Sequence, residues 1–443
     1  MSDHPRRPEP PADPFAVDRR EFIEIAAAGL LIVATAPPSQ AQREGGAGAL
    51  EARLHIAEDG LITILTGKIE EGQGALTELA MAAAEELRVP LNRVRMVMGD
   101  TDRVPSDGTT AGSGTTPRTV PLVRRAAAAA RDLLLAAAGR QWGVDGAKLE
   151  MRDGAVVYAG KTYAYAQLAR SPELAAAYKD ALPAGTALTS AKDWKVLGTP
   201  QIRLDGRDIV TGAHRYPSDI VRPGMLYGRV LRAPSYGAAL VSADLSAAQK
   251  MPGVKVVRDG AFVGCAAPTT FAARKALEAI SAASKWKTAE HPSSDNLFEY
   301  LKQHAKEQGR PQGQARGSVE KGLEGARRRL KASYQVAYVQ HAPMEPRAAV
   351  AEWQDGRLTV WTGTSNPFSV RQALAEAFRV PPERVRVMVP HMGGGFGGKH
   401  TGEAAIEAAR LAKEAGRPVA LHWTRAEEFM WAYFRPAALI EVE

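Results

Sequence analysis

Cysteine is all but absent: Cys265 is the only one in 443 residues. A single thiol cannot close an intrachain disulfide, build a Cys-rich zinc site or hold a thiolate-ligated iron–sulfur cluster. Any redox cofactor is therefore bound non-covalently or lies on another chain. Aromatic residues are scarce, at 6%, and they do not interleave with a basic patch; the densest basic run is Arg327-Arg328-Arg329. The net charge of +8 thus lacks the stacking, phosphate-tracking surface that would make nucleic acid an expected partner. Long apolar runs are lacking as well. The stretch Ile25 to Ala36 is broken by Gly29 and falls short of the roughly 20 residues that cross a bilayer. What is present is an ordinary globular composition, 45% hydrophobic and 24% charged. At ~150 residues per domain, the length accommodates about three domains.

The N-terminus reads as an address. Asp18-Arg19-Arg20-Glu21-Phe22-Ile23 sets paired arginines ahead of that apolar stretch, and Ala34-Thr35-Ala36 supplies small residues for a peptidase. Residues 1–40 fit a twin-arginine export signal, to be left out of the fold, with a periplasmic or membrane-associated destination. A buried N-terminal helix or an uncleaved anchor is the alternative.

A repeat organises the remainder. Asp59-Gly60-Leu61-Ile62-Thr63-Ile64-Leu65-Thr66-Gly67 is echoed by Asp355-Gly356-Arg357-Leu358-Thr359-Val360-Trp361-Thr362-Gly363. Each strand-like run is followed by helical periodicity, Ala75 to Leu87 and Ser369 to Phe378. Each helix ends at Arg-Val-Pro (residues 88–90 and 379–381) and leads into a strand, Arg93 to Val97 and Arg384 to Met388. Each copy then opens into a loop: Gly99 to Gly114, and His391 to Lys399. Shared landmarks in the same order describe two strand–helix–strand lobes whose loop N–H groups can close on one anionic ligand. Between them, Val123 to Gln141 reads as a helix and Lys148 to Tyr163 as a hairpin-like stretch. Residues 196–290 carry short strands and helices near Ala243 to Gln249 and Ala272 to Ala283, an α+β domain. Residues 291–328 are polar, a linker or surface excursion.

The sharpest chemical feature is Gly393-Gly394-Gly395-Phe396-Gly397-Gly398-Lys399, which precedes a helix from Glu403 to Ala412. Glycines here let the backbone approach a ligand, with Phe396 fixing the loop by packing or shielding a reactive centre; a tight turn is the bland alternative. Gly393 and Gly398 have the spacing of a nucleotide-triphosphate loop, but Lys399 is followed by His400 instead of a hydroxyl residue, which disfavours that reading. Gln73, between Gly72 and Gly74, can offer its amide to a ligand or be an exposed residue of a helix-start turn. Thr109-Thr110-Ala111-Gly112-Ser113 offers uncharged donors. His341-Ala342-Pro343-Met344-Glu345-Pro346-Arg347 either lines a pocket or is a crossover with an internal salt bridge. No nucleophile elbow or His-Glu-x-x-His pattern occurs. The adjacent pairs Glu70-Glu71 and Glu85-Glu86 point apart and read as solvated.

Taken together, these motifs resemble the xanthine dehydrogenase/aldehyde oxidase family, specifically its bacterial molybdopterin-binding large subunits of the isoquinoline 1-oxidoreductase β-subunit and aldehyde dehydrogenase type. Arg203-Leu204-Asp205-Gly206-Arg207-Asp208-Ile209-Val210-Thr211-Gly212 and Met251-Pro252-Gly253-Val254 are similar to that family's a/b hammerhead domain. The resemblance implies an α+β fold with molybdenum-cofactor-binding lobes at residues 50–185 and 329–443, joined through a hammerhead domain at 196–290. It implies a molybdenum–molybdopterin cofactor, in the cytosine dinucleotide form, and hydroxylation of an aldehyde or N-heterocycle with water as oxygen source. It implies a small partner subunit with [2Fe–2S] clusters, and a cytochrome c as onward electron acceptor. Gly72, Gln73, Gly74, Thr110, Ala111 and Ser113 match residues that hold the pterin and its phosphates, and Gly394, Gly395, Phe396 and Gly397 match the loop that approaches the metal. Two departures stand out. Ser365 falls where the family commonly has a Gln, with Asn366 as a possible substitute. The family's Gly-x-Gly-Glu catalytic segment is missing, so no catalytic base is assigned. The expectation is a short large subunit completed by a second chain, the alternative being an inactive cofactor-binding or assembly remnant.

Overall fold

A computed structural model describes residues 30–34, 51–172, 174, 186–306 and 317–443. The paired arginines of the expected export signal lie outside the described residues. Part of the apolar stretch after them falls among the described residues. Leu30–Ala34 is a terminal strand, antiparallel to Glu51–Ile56, as suits a Leu-Leu-Ile-Val run beside an open sheet edge.

The chain divides into two compact units that do not follow chain order. The larger comprises Met1–Met225 with Arg347–Leu421, the smaller Leu226–Pro346 with His422–Glu443.

In the larger unit the repeat is a repeat of topology. In the first copy, Glu51–Ile56 and Ile62–Thr66 form an antiparallel pair, the helix Ala75–Leu87 crosses over, and Val94–Met98 returns parallel to Ile62–Thr66. In the second, Ala348–Gln354 and Arg357–Thr362 pair antiparallel, Pro367–Phe378 crosses over, and Val385–Met388 returns parallel. Both crossover helices end on an arginine at φ 53°, Arg88 and Arg379, whose N–H closes the last turn on Ala84 and Ala375. The shared Arg-Val-Pro is therefore a left-handed cap, with proline following because the chain cannot continue as helix.

The core of the first copy lies between its sheet and two helices. Alanines at 80, 82, 83 and 84 share one buried core with Ala126, Ala127, Ala130 and Ala137 of the helix Val120–Trp142. Small side chains let the helices approach closely, while Leu54, Ile64, Leu79 and Leu134 fill the remaining volume. The hairpin-like stretch is a three-stranded meander, Glu150–Arg152, Ala155–Tyr158 and Lys161–Ala164. In the second copy the helix Glu403–Ala415 packs its alanine face onto Ala348–Gln354.

The smaller unit pairs Leu226–Val230 with Phe262–Ala267 and that strand with Lys255–Asp259, under the helix Thr270–Ala282. Cys265 lies in that core with Ala276 and Ile280, and burial pushes its thiol up to about 12, leaving it an inert apolar residue. The expected linker region holds two short helices, Leu297–His304 and Val319–Glu324, either side of residues 307–316, which lie outside the described residues. Ala438–Val442 is a strand, paired with Ala332–Val336. Arg203 to Gly212 belongs to the larger unit. Among the described residues, no helix is long and apolar enough to cross a membrane.

Candidate functional site

The loops singled out in the two repeats meet in the larger unit, and the contacts that bring them together begin at the Thr-Gly strand ends. A Cβ on Gly67 would lie 2.4 Å from the Pro105 carbonyl oxygen and 2.8 Å from the Asp107 nitrogen. Only glycine lets the chain leave Thr66 against that segment. The Asp107 carboxylate then accepts from the Thr66 hydroxyl at 2.6 Å, the Gly67 N–H at 2.9 Å and the Arg53 guanidinium at 2.7 Å. Lys68 donates to the Gly108 and Thr109 carbonyls, and the Ile69 N–H donates to the Thr110 hydroxyl. The Gly72–Gly74 and Thr109–Ser113 loops are thereby carried side by side.

Three backbone hydrogen bonds join this pair to the second repeat. The Thr110 N–H donates to the Ser365 carbonyl at 2.9 Å, Ser365 N–H to the Lys399 carbonyl at 2.8 Å, and Met392 N–H to the Glu70 carbonyl at 3.1 Å. Thr364, Ser365 and Lys399 are fully buried beneath, whereas Gly72, Gln73, Ala111, Gly112, Ser113 and Phe396 face out.

Both glutamate pairs depart from the solvated reading. Glu70, Glu85 and Glu86 are buried, and their charges are met by many donors. Glu70 accepts from the N–H groups of Gly72, Gly74 and Leu76 and from Arg203, placing a carboxylate at the N-terminus of the helix Ala75–Leu87. Arg203 is fixed in turn by Asp205, at 2.9 and 2.7 Å. His391 lies 3.3 Å from Asp205 and 4.6 Å, ring to ring, from His214; burial holds its imidazole below the ordinary value.

Glu71 differs from its neighbour. Its side chain is half-buried and accepts the Ser365 hydroxyl at 3.3 Å. A Cβ on Gly395 would approach its Oε2 to 3.1 Å, so this carboxyl lies directly against the Gly-rich loop. Burial raises its pKa to about 7, against the opposing pull of Ser365 and Lys399; the charge of Glu70 adds to the rise. Gln73 turns its amide inward to brace its own loop, Oε1 on the Glu71 N–H and Nε2 on the Ile69 carbonyl. One Nε2 hydrogen is left over for a ligand.

Phe396 does not fix its loop by packing. It is 73% exposed and sits at φ 52°, a conformation that costs a non-glycine residue about 1–2 kcal/mol. The loop is held from below by Arg347, which donates to the Gly398 carbonyl and pairs with Glu403 at 3.3 Å. That ion pair is the role the structure gives the buried end of the His341–Arg347 segment. Glu403 also accepts from the Thr401 hydroxyl at 2.6 Å. Asn366 caps the helix Pro367–Phe378, its side chain accepting from Ser369 N–H. Its carbonyl oxygen is thereby committed to the helix, and Ser365 is the polar side chain of that strand end that reaches the loop cluster.

Glu70, Glu71, Arg203 and the burial of Lys399 were not apparent from motif spacing. The signal that could have found Glu70 is its place just before a helix start, where a carboxylate satisfies free N–H groups.

Two family models, each described as a molybdopterin cofactor-binding domain, match residues 19–212 and 302–443. The chain is similar to a nicotinate dehydrogenase subunit from Pseudomonas putida, 30% identical over 95% of this chain and 36% of that protein. It is also similar to the β-subunit of isoquinoline 1-oxidoreductase from Brevundimonas diminuta, 28% identical over 88% of this chain and 56% of that one. The chain therefore spans between about a third and somewhat over half the length of these curated relatives. Quinoline 2-oxidoreductase from Pseudomonas putida 86 superposes with a TM-score of 0.46, at 25% identity over 56% of this chain and 37% of that one.

Proposed function

Because this chain belongs to the family of molybdopterin-binding large subunits of xanthine dehydrogenase type, we propose that its clustered loops hold a molybdenum–pterin dinucleotide for the hydroxylation of an aldehyde or N-heterocycle with water. The observation that carries this reading is the convergence of both repeats, through Thr110, Ser365, Lys399 and Met392, on one locus.

The residues fit such a group. Nothing lies within 4 Å of the Cβ directions of Gly72, Gly74 and Gly112, so the loops present an open backbone face that side chains would fill. The exposed uncharged donors are Gln73 Nε2, with a hydrogen to spare, and the Ser113 hydroxyl. Neutral donors of this kind hold a diphosphate and a pterin without placing a fixed charge beside a redox metal. The bound cofactor supplies the two-electron oxidation. The protein's part is to hold it with Gly72–Gly74, Thr110, Ala111 and Ser113 on one side and with Ser365 and Gly394 to Gly397 on the other. The exposed Phe396 ring stands at the rim, where it shields the centre from water.

The remaining parts of the proposal are the cytosine dinucleotide form, an iron–sulfur partner subunit, a cytochrome c acceptor and export by the twin-arginine route. Inert Cys265 supports a division of labour in which clusters lie on another subunit. Metal and pterin analysis of the purified chain, alone and co-expressed with its neighbouring reading frames, tests the reading. Stoichiometric molybdenum and pterin are expected, and a chain free of both under all these conditions sinks it. Full cofactor without oxidation of any aldehyde or N-heterocycle by the assembled complex would instead identify a cofactor-binding remnant.

A further inference from the structure

The two adjacent glutamates at the head of the helix Ala75–Leu87 are treated in opposite ways by the fold. Glu70 has both oxygens committed, Oε1 to Gly72 N–H, Gly74 N–H and Arg203 and Oε2 to Leu76 N–H. Four donors hold it in place. Glu71 has one side-chain hydrogen-bond partner among the described residues, the Ser365 hydroxyl, and that partner can reverse: it donates to a carboxylate and accepts from a carboxylic acid. The charged groups acting on Glu71 are Lys399 from the Gly-rich loop and Glu70 from its own. Lys399 favours the anion and Glu70 the acid. With Ser365 fully buried and Gly72 and Gln73 exposed, the carboxyl has the loop cluster on one side and solvent-facing residues on the other.

We propose that Glu71, backed by Ser365, is the proton-exchanging carboxyl of this site, holding at Oε2 a proton taken from the group seated against Gly394 to Phe396. The inference rests on the functional reading given above. Hydroxylation of a C–H bond with water (RH + H2O → ROH) releases two electrons and two protons. The electrons leave through the iron–sulfur partner; one proton forms the O–H bond at Glu71 Oε2 before passing to solvent, and the other passes to solvent water directly. Glu71 needs a pKa near the working pH to accept and release within one turnover, and burial sets it at about 7.

The test uses the full chain labelled with carboxyl-13C glutamate, followed by NMR against pH, with Glu71→Gln and Ser365→Ala variants. One glutamate resonance is expected to titrate near neutrality and to vanish in Glu71→Gln. Ser365→Ala should raise its midpoint, because the hydroxyl favours the anion. In cofactor-loaded protein, the reduction midpoint of the cofactor plotted against pH should bend near neutrality, and the bend should be absent in Glu71→Gln at unchanged molybdenum and pterin content. A Glu71 resonance titrating in the ordinary carboxylate range, or a bend that persists in Glu71→Gln, overturns the proposal. A chain that binds neither molybdenum nor pterin refutes the functional reading and with it the origin of the proton, whereas the NMR titration judges Glu71 by itself.

Discussion

Glu85 and Glu86, like Glu70 and Glu71, are neighbours that the fold separates. Glu85 Oε2 accepts from three successive N–H groups, Lys195, Val196 and Leu197, at 2.7 to 3.1 Å. Glu86 is met by Arg124 and Arg131 and by the N–H and hydroxyl of Thr189. Adjacent residues on a helix do point apart, but here both directions are covered. Removing Glu86 leaves two guanidinium groups around an emptied, buried position. Glu86→Ala should therefore cost about 3–5 kcal/mol, read as a loss of urea stability; a change under about 1 kcal/mol would show the pair to be solvated. Glu71 gives a prediction of opposite character. Its folded pKa of about 7 lies above the ordinary 4.5, so the native state keeps a proton that the unfolded chain has lost. Stability contributed by this group is present below pH about 4.5 and is lost as pH rises through about 7. Melting curves at pH 5 and pH 8 should show wild type losing more than Glu71→Gln across that interval.

At the scale of elements, the helices and strands of the repeat were legible in the sequence to within a few residues. Their 3.6- and 2-residue periods are local properties, and the expected helix from Ala75 to Leu87 is the observed one. The left-handed arginine caps were legible only as a repeated tripeptide, because nothing in Arg-Val-Pro announces a positive φ on a non-glycine residue. Arg379 is exposed, so Arg379→Gly should stabilise by roughly 0.5 kcal/mol in urea unfolding, relief of the cap strain exceeding the entropy glycine adds to the unfolded chain. Gly67→Ala should act the other way. Its Cβ meets backbone at 2.4 and 2.8 Å, atoms that cannot rotate aside, and a loss of about 1–3 kcal/mol is expected. Crystallography of the variant would show segment 105–107 displaced; an unmoved segment would contradict the packing argument. The site itself was half legible. Its loops stood out as glycine-rich, but the carboxylates and arginines behind them did not, since Arg203 finds Glu70 across 133 residues of sequence. Spacing carries no trace of such a contact.

At the scale of the whole molecule, chain order and spatial order disagree. The larger unit takes Arg347–Leu421 from beyond a unit that interrupts it. The end of Val385–Met388 depends on the first repeat: Thr101 N–H donates to the Val387 carbonyl, Val387 N–H to the Thr101 hydroxyl and Val389 N–H to the Gly99 carbonyl. Residues 347–443 expressed alone should accordingly fail to melt cooperatively by circular dichroism. A sharp transition in that fragment would mean the second repeat is self-sufficient. The interruption also acts as a clock. From Met225 to Leu421 a ribosome must add 196 residues. At roughly 5–20 residues per second, that takes about 10–40 s. For most of that interval Thr110 and Glu70 wait without Ser365 and Met392, their partners not yet translated. The loop cluster is thus among the last parts of the larger unit to close, and anything seated in it must arrive after most of the chain has been made.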